Sequence, residues 1–142
     1  YDPFSSLLKD PSKIRVQGAA ALPTQLASTG KPIQDAELTY ALMTHMSTGL
    51  GVNCTFCHNS RAFGSWEQSP PQRSTAWYGL RMVADLNHNY LDPLKPVYPD
   101  NRLGPTGDAA KANCATCHQG VNKPLYGVSM LKDYLTELSA KK

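Results

Sequence analysis

The sequence contains no run of about 18 apolar residues, so no segment is built to cross a membrane as a helix. Aromatic residues make up only 8% of it, and all hydrophobic types together 41%. That is a thin supply for a large side-chain core. Neither sign of charge dominates: 14 Lys and Arg face 11 Asp and Glu, giving +3 with neutral histidine. Such a small, scattered excess gives no argument for a nucleic-acid partner. No stretch alternates convincingly enough for a strand. No basic n-region followed by an apolar h-region opens the chain at Tyr1, which therefore reads as mature or trimmed. With 142 residues, 11 Pro and 10 Gly, the composition is neither disordered nor collagen-like and allows one domain of ordinary size. Cysteine is absent everywhere except in two pentapeptides.

Those pentapeptides are Cys54-Thr55-Phe56-Cys57-His58 and Cys114-Ala115-Thr116-Cys117-His118. C-x-x-C-H is the signal for c-type haem attachment. Two thiols add across the two vinyl groups of one haem, and the adjoining His reaches the iron as proximal ligand. Two disulfides would not call for a His after each pair. A thioredoxin-type pair would be single and would sit on a βα unit. Zinc knuckles usually lie roughly 15–20 residues apart, whereas residues 58–113 separate these two. The reading is therefore two haem c groups, which also supply the missing apolar bulk. Covalent haem attachment and an oxidising route of folding place the chain on the periplasmic or extracytoplasmic side.

The expected fold is mainly α with much irregular loop: a dihaem c-type cytochrome in which helix, turn and C-x-x-C-H occur twice. The chain reads as a single domain over residues 1–142. Residues 1–34 form an irregular wrap, 35–73 the first haem segment, 74–128 the second, and 129–142 a C-terminal helix. Asp35 is the expected N-cap of a helix over 36–47, ended by Gly49 and Gly51, with Leu38, Leu42, Met43, Met46 and Leu50 on its apolar face. Ser74 is the expected cap of a second helix over 75–90. Asp108 should open a short helix into the second motif. Ser129 should cap the last helix, with Lys141 and Lys142 suiting its dipole.

Each iron also has a sixth position, and its occupant sets potential and reactivity. His58 and His118 being used, the remaining candidates are His45, His88, Met43, Met46, Met82 and Met130. Met43 lies on the helix that runs into the first motif, with Met46 one turn along the same face. Both also suit the core, the commoner fate of a helical Met, and spacing leaves the choice between them open. His45 and His88 suit surface positions better.

Several segments together resemble the tetrahaem cytochrome subunit of purple-bacterial photosynthetic reaction centres. Leu50 to Asn59 is similar to its third haem segment. Ala76 to Val83 and Asp85-Leu86-Asn87 are similar to the helix before its fourth haem. Cys117 to Val121, Lys123-Pro124-Leu125 and Leu131 to Tyr134 are similar to its C-terminal end, and Tyr1 to Phe4 to the start of its second half. The resemblance covers essentially the whole chain.

It implies a periplasmic electron carrier that re-reduces the photo-oxidised chlorophyll pair. The partners it implies are reaction-centre subunits and soluble donors such as a cytochrome or a high-potential iron–sulfur protein. It implies Met43 as sixth ligand of the first haem, and Arg73 as a cation beside that haem. The family's first two haem segments and lipid-anchored N-terminus have no counterpart here, so the chain reads as a half-size relative or a fragment. In the family the fourth haem takes a His from the first half, and Gly79 stands where the corresponding first-half helix carries a Met. For the second iron this leaves Met82, a His from another chain, or an open site, with Met82 preferred. An open site would allow an enzymatic alternative, reduction of peroxide or of a nitrogen oxide, for which Glu67, Asp108 and His88 are acids or bases by type. A multi-haem assembly completed by a partner chain is the third reading.

Overall fold

The computed structural model describes residues 30, 32–129 and 131–136 of the chain. The expected N-terminal wrap lies almost wholly outside these residues, as do Met130, Lys141 and Lys142. The described residues are helical with connecting loops and contain no strand.

Helix α1 spans Ile33–Leu50, three residues longer at each end than the sequence suggested. Its start corrects the expected cap. Pro32 takes the capping position in an extended conformation, φ −67° and ψ 156°, and supplies no side-chain bond. Asp35 sits inside the first turn, where its charge still suits the positive end of the helix. Its carbonyl accepts a 2.8 Å bond from the Thr39 hydroxyl. At the other end Gly49 does not break the helix; it is a buried member of it. The stop is Gly51, at φ 65° and ψ 34°. The Gly51 N–H donates to Thr48 and the Val52 N–H to Ser47. This paired closure is the Schellman arrangement, which needs a left-handed residue where Gly51 stands.

Helix α2 spans Gln72–Asp85, directly after Pro70-Pro71. The capping position falls to Pro71, not to Ser74, which lies within the first turn with its N–H on the Pro71 carbonyl. Beyond Asp85 the helix widens into a π-turn over Leu86–Leu91. The core is small, as the composition required. Leu42 of α1 is fully buried against Leu80 and Val83 of α2, with Met43, Met46 and Trp77 packed beside them.

No helix forms from Asp108. Its carboxylate accepts from the Thr106 hydroxyl at 2.6 Å, and its carbonyl accepts from the Gly104 N–H at 2.8 Å. Both groups are thereby committed to a turn, and the chain reaches the second motif without regular structure. A salt bridge between Lys111 and Asp92 ties this approach to the foot of the π-turn. The buried Asn87 side chain grips it harder. Asn87 Nδ2 donates to the Ala112 carbonyl at 2.9 Å, and its Oδ1 accepts from the Ala112 N–H at 2.7 Å.

Both partners are buried, at 1% and 6% exposure. Asn87→Ala therefore strands two backbone groups at once. The expected cost is about 2–4 kcal/mol, at about 1–3 kcal/mol for each unsatisfied group. Chemical denaturation of the purified protein should show the loss as a lower midpoint; an unchanged midpoint would mean that water replaces the amide.

Helix α3 is the second motif itself, Cys114–His118. Asn113 and Thr116 cap it reciprocally: Asn113 Oδ1 accepts from the Thr116 N–H at 3.2 Å, and the Asn113 N–H donates to the Thr116 hydroxyl at 3.0 Å. The expected C-terminal helix lies partly outside the described residues, which show a 3-10 turn over Leu131–Tyr134. None of the described helices is long and apolar enough to cross a membrane.

Candidate functional site

After Gly51 the chain runs through extended Asn53 into a tight 3-10 turn, Cys54–Phe56. The His58 N–H closes it on the Cys54 carbonyl at 2.9 Å. This turn brings Cys54, Cys57 and His58 to the wall of a cavity of about 670 Å³. Met43 and Met46 of α1, Trp77 and Leu80 of α2, and Phe63, Trp66 and Arg73 line the same space. The volume is that of a cofactor pocket. The structure thus gathers Met43, Cys54, Cys57, His58 and Arg73, which the sequence had singled out separately.

The His58 ring has a defined protonation. Its Nδ1 lies 3.0 Å from the Phe63 carbonyl. A carbonyl can only accept, so Nδ1 carries the hydrogen and Nε2 keeps its lone pair. The ring stacks on Phe63, with centroids 5.2 Å apart and 26° between planes. Burial pushes the His58 pKa down; the Phe63 carbonyl partly opposes this, and Arg73 adds to it. The ring is therefore a neutral imidazole with a free Nε2, the form that ligates a metal. Burial also raises the Cys57 thiol, with Arg73 pulling it back in part.

The second motif repeats the device. His118 Nδ1 lies 3.1 Å from the Val121 carbonyl, which again places the hydrogen on Nδ1. Gln119 turns the chain sharply, at φ 53°. The next residue, Gly120, donates its N–H to the carbonyl of Gly49 in α1 at 2.8 Å. A Cβ at Gly49 would stand 3.1 Å from the Ala115 nitrogen and 3.3 Å from the Cys114 Cβ. A Cβ at Gly51 would run into the Gly120 carbonyl. The end of α1 and the second motif are thus in backbone contact, although the motifs are far apart in sequence.

The other candidates lie elsewhere. Met82 projects from α2 with 62% of its surface exposed and lines no part of the cavity. Gly79, one turn before it, has open space where a Cβ would be. His88 and Glu67 are exposed, and Asp108 is held in its turn. His45 is half-buried and outside the cavity lining. Neither Cys pair is bridged by a disulfide. Among the described residues no three His, Cys, Asp or Glu side chains converge on a metal-sized site, so the two pairs do not form one four-thiol centre.

Sequence reasoning missed the Phe63 and Val121 carbonyls, which carry no residue-type signal. It also missed Trp66, whose indole lies under the Arg73 guanidinium, 4.2 Å from Cζ to the ring centroid. A lone Trp in a polar loop was the available clue.

The family model described as the photosynthetic reaction centre cytochrome C subunit matches residues 1–138. The chain belongs to this family. It is 57% identical over 134 residues to the photosynthetic reaction center cytochrome c subunit of Rubrivivax gelatinosus, and 51% identical over 134 residues to that of Thermochromatium tepidum. Each alignment covers 94% of this chain but only 36% and 32% of the relative. Cytochrome c-554 of Chloroflexus aurantiacus is 32% identical over 95 residues, covering 67% of this chain and 20% of the relative. The chain therefore spans about a third of the length of the two reaction-centre subunits. Haem c is the expected prosthetic group of this family. The residues fit it: paired thiols, a neutral imidazole and a thioether border one largely apolar cavity.

Proposed function

We propose that this chain carries electrons through two covalently bound haems c, as the part of a reaction-centre cytochrome that holds its third and fourth haems. The observation that carries this reading is the meeting of Met43, Cys54, Cys57, His58 and Arg73 on one cavity. Each haem, when bound, supplies a one-electron ferric–ferrous couple. Cys54 and Cys57 would fix the first haem, and Cys114 and Cys117 the second. His58 and His118 would ligate through Nε2. Met43 would supply a soft thioether sulfur, a ligand type that favours ferrous iron and so raises the potential. Arg73 disfavours the extra positive charge of the oxidised site, in the same direction. Trp77 and the buried Leu80 would help keep water from the first site. At the second iron we assign Met82, a soft thioether exposed on α2, the helix that precedes the second motif in the chain.

The chain would act on the periplasmic side, taking electrons from a soluble cytochrome or a high-potential iron–sulfur protein and returning them to the photo-oxidised chlorophyll pair. Membership of the reaction-centre cytochrome family supports an electron carrier over an enzyme at an open second iron.

The test is direct. Haem extraction assays should give two covalent haems per chain, and a redox titration should resolve two potentials. Laser-flash excitation of reaction centres mixed with the protein should oxidise its haems as the chlorophyll pair recovers. Haems that stay reduced after the flash would exclude this partner. Met82→Ala should lower one potential and leave the other. Both potentials unchanged would remove Met82 and favour a His from a neighbouring segment or chain. A carbon monoxide shift in the wild-type ferrous spectrum would instead mark an open second iron.

A further inference from the structure

Arg73 is not a mobile surface cation. Its Nη1 donates to the Ser65 carbonyl at 2.8 Å and to the Ser69 hydroxyl at 2.8 Å. The Ser69 hydroxyl in turn donates to the same Ser65 carbonyl, and Ser65 is buried. The guanidinium lies on the Trp66 indole. Trp66 is itself set edge-on to Trp77 of α2, with centroids 6.3 Å apart and 81° between planes. Loop 65–69 thus holds one charged group on three sides, and Arg73, Trp66 and Trp77 all line the cavity.

Satisfying a guanidinium needs none of this, since an exposed arginine is solvated at no cost. A stacked and hydrogen-bonded one is fixed in direction, at an expense in side-chain entropy. We infer that Trp66 and Ser69 are positioning residues for the first redox centre, and that they set its potential by holding the Arg73 charge at one place on the cavity wall. The inference rests on the reading of this cavity as the first haem site. Trp66 acts through Arg73. It need not touch the iron ligands, and its removal lets the charge swing into water, where screening weakens it.

The experiment is a double-mutant cycle on the purified holoprotein, read by spectroelectrochemical titration of the first haem. Arg73→Gln should shift the reduced-to-oxidised ratio about tenfold toward the oxidised form, equivalent to about 59 mV for a one-electron couple. Trp66→Leu should shift it the same way by a smaller amount. In the Arg73→Gln background Trp66→Leu should add nothing. Trp66→Tyr, which keeps an aromatic face, should retain most of the wild-type potential. Ser69→Ala provides an independent arm should Trp66→Leu fail to fold, and it should show the same loss of effect without Arg73.

Additive shifts would overturn the inference, because they would mean that Trp66 acts by covering the haem. So would an unshifted potential in Trp66→Leu or in Arg73→Gln. A wild-type chain lacking covalent haem would instead defeat the underlying reading, and the haem count detects that outcome separately.

Discussion

Met43→Ala is expected to lower the potential of the first haem by on the order of 100 mV, within the roughly 0.8 V over which axial ligands set haem potentials. Met43 comes from α1 into the cavity that Cys54, Cys57 and His58 border. A thioether is a soft ligand that prefers ferrous iron. With it gone, the sixth position would fall to water, a harder ligand that favours ferric iron. Two companions separate ligation from packing. Met43→His keeps a six-coordinate, low-spin centre but should still lower the potential. Met46→Leu, on the same cavity one turn further along, should leave the potential nearly in place. A titration in which Met46→Leu moves the potential and Met43→Ala does not would reverse the assignment.

The second large effect is expected at Gly51. Gly51→Ala meets two obstacles at once. The residue sits at φ 65°, and the added Cβ runs into the Gly120 carbonyl. Left-handed backbone costs a non-glycine residue of order 1–3 kcal/mol. The carbonyl is backbone and can yield only if α3 moves with it. A loss of about 2–4 kcal/mol is expected in all, in the range where named backbone and packing faults fall. Both haem spectra should change, because the displaced element carries the second motif and the displacing one leads to the first. Gly104→Ala is the control, since its Cβ would lie at an ordinary 3.6 Å from the Asp108 carbonyl oxygen. Equal denaturation midpoints for the two variants would show that the contact at Gly51 relaxes freely.

What the sequence revealed follows from where the chemistry demands a residue type. Covalent attachment requires two thiols and an imidazole at fixed spacing, so Cys54, Cys57 and His58 were legible one by one. Met43 was legible as a candidate but not separable from Met46, because both occupy one helical face and both reach the cavity. Arg73 stood out only through resemblance, since an arginine eight residues from its acceptor carbonyl leaves no local pattern.

Capping misled for a related reason. Asp35, Ser74 and Asp108 are all good caps by type. Yet prolines at positions 32 and 71 already fix the entry to α1 and α2, and Asp108 is used up in its own turn. The Asn87–Ala112 clasp was invisible because it depends on a peptide group 25 residues away. Met82 shows the converse. The sequence could nominate it, but it stands on the surface of α2 with much of its side chain uncovered.

The bond from the Gly120 N–H to the Gly49 carbonyl has a bearing on how this protein can change over time. Residues 59–113 link the two motifs along the chain, but they do not act as the ruler between them. The ruler is the short bridge across space, from the tail of α1 to the turn after α3. Insertions or deletions in the outer loops, such as the stretch from Asp92 to Gly107, should therefore leave the separation of the two centres unaltered. A single side chain added at the bridge should not. The long way round can be redesigned, whereas the bridge leaves no room for a side chain at Gly49 or Gly51.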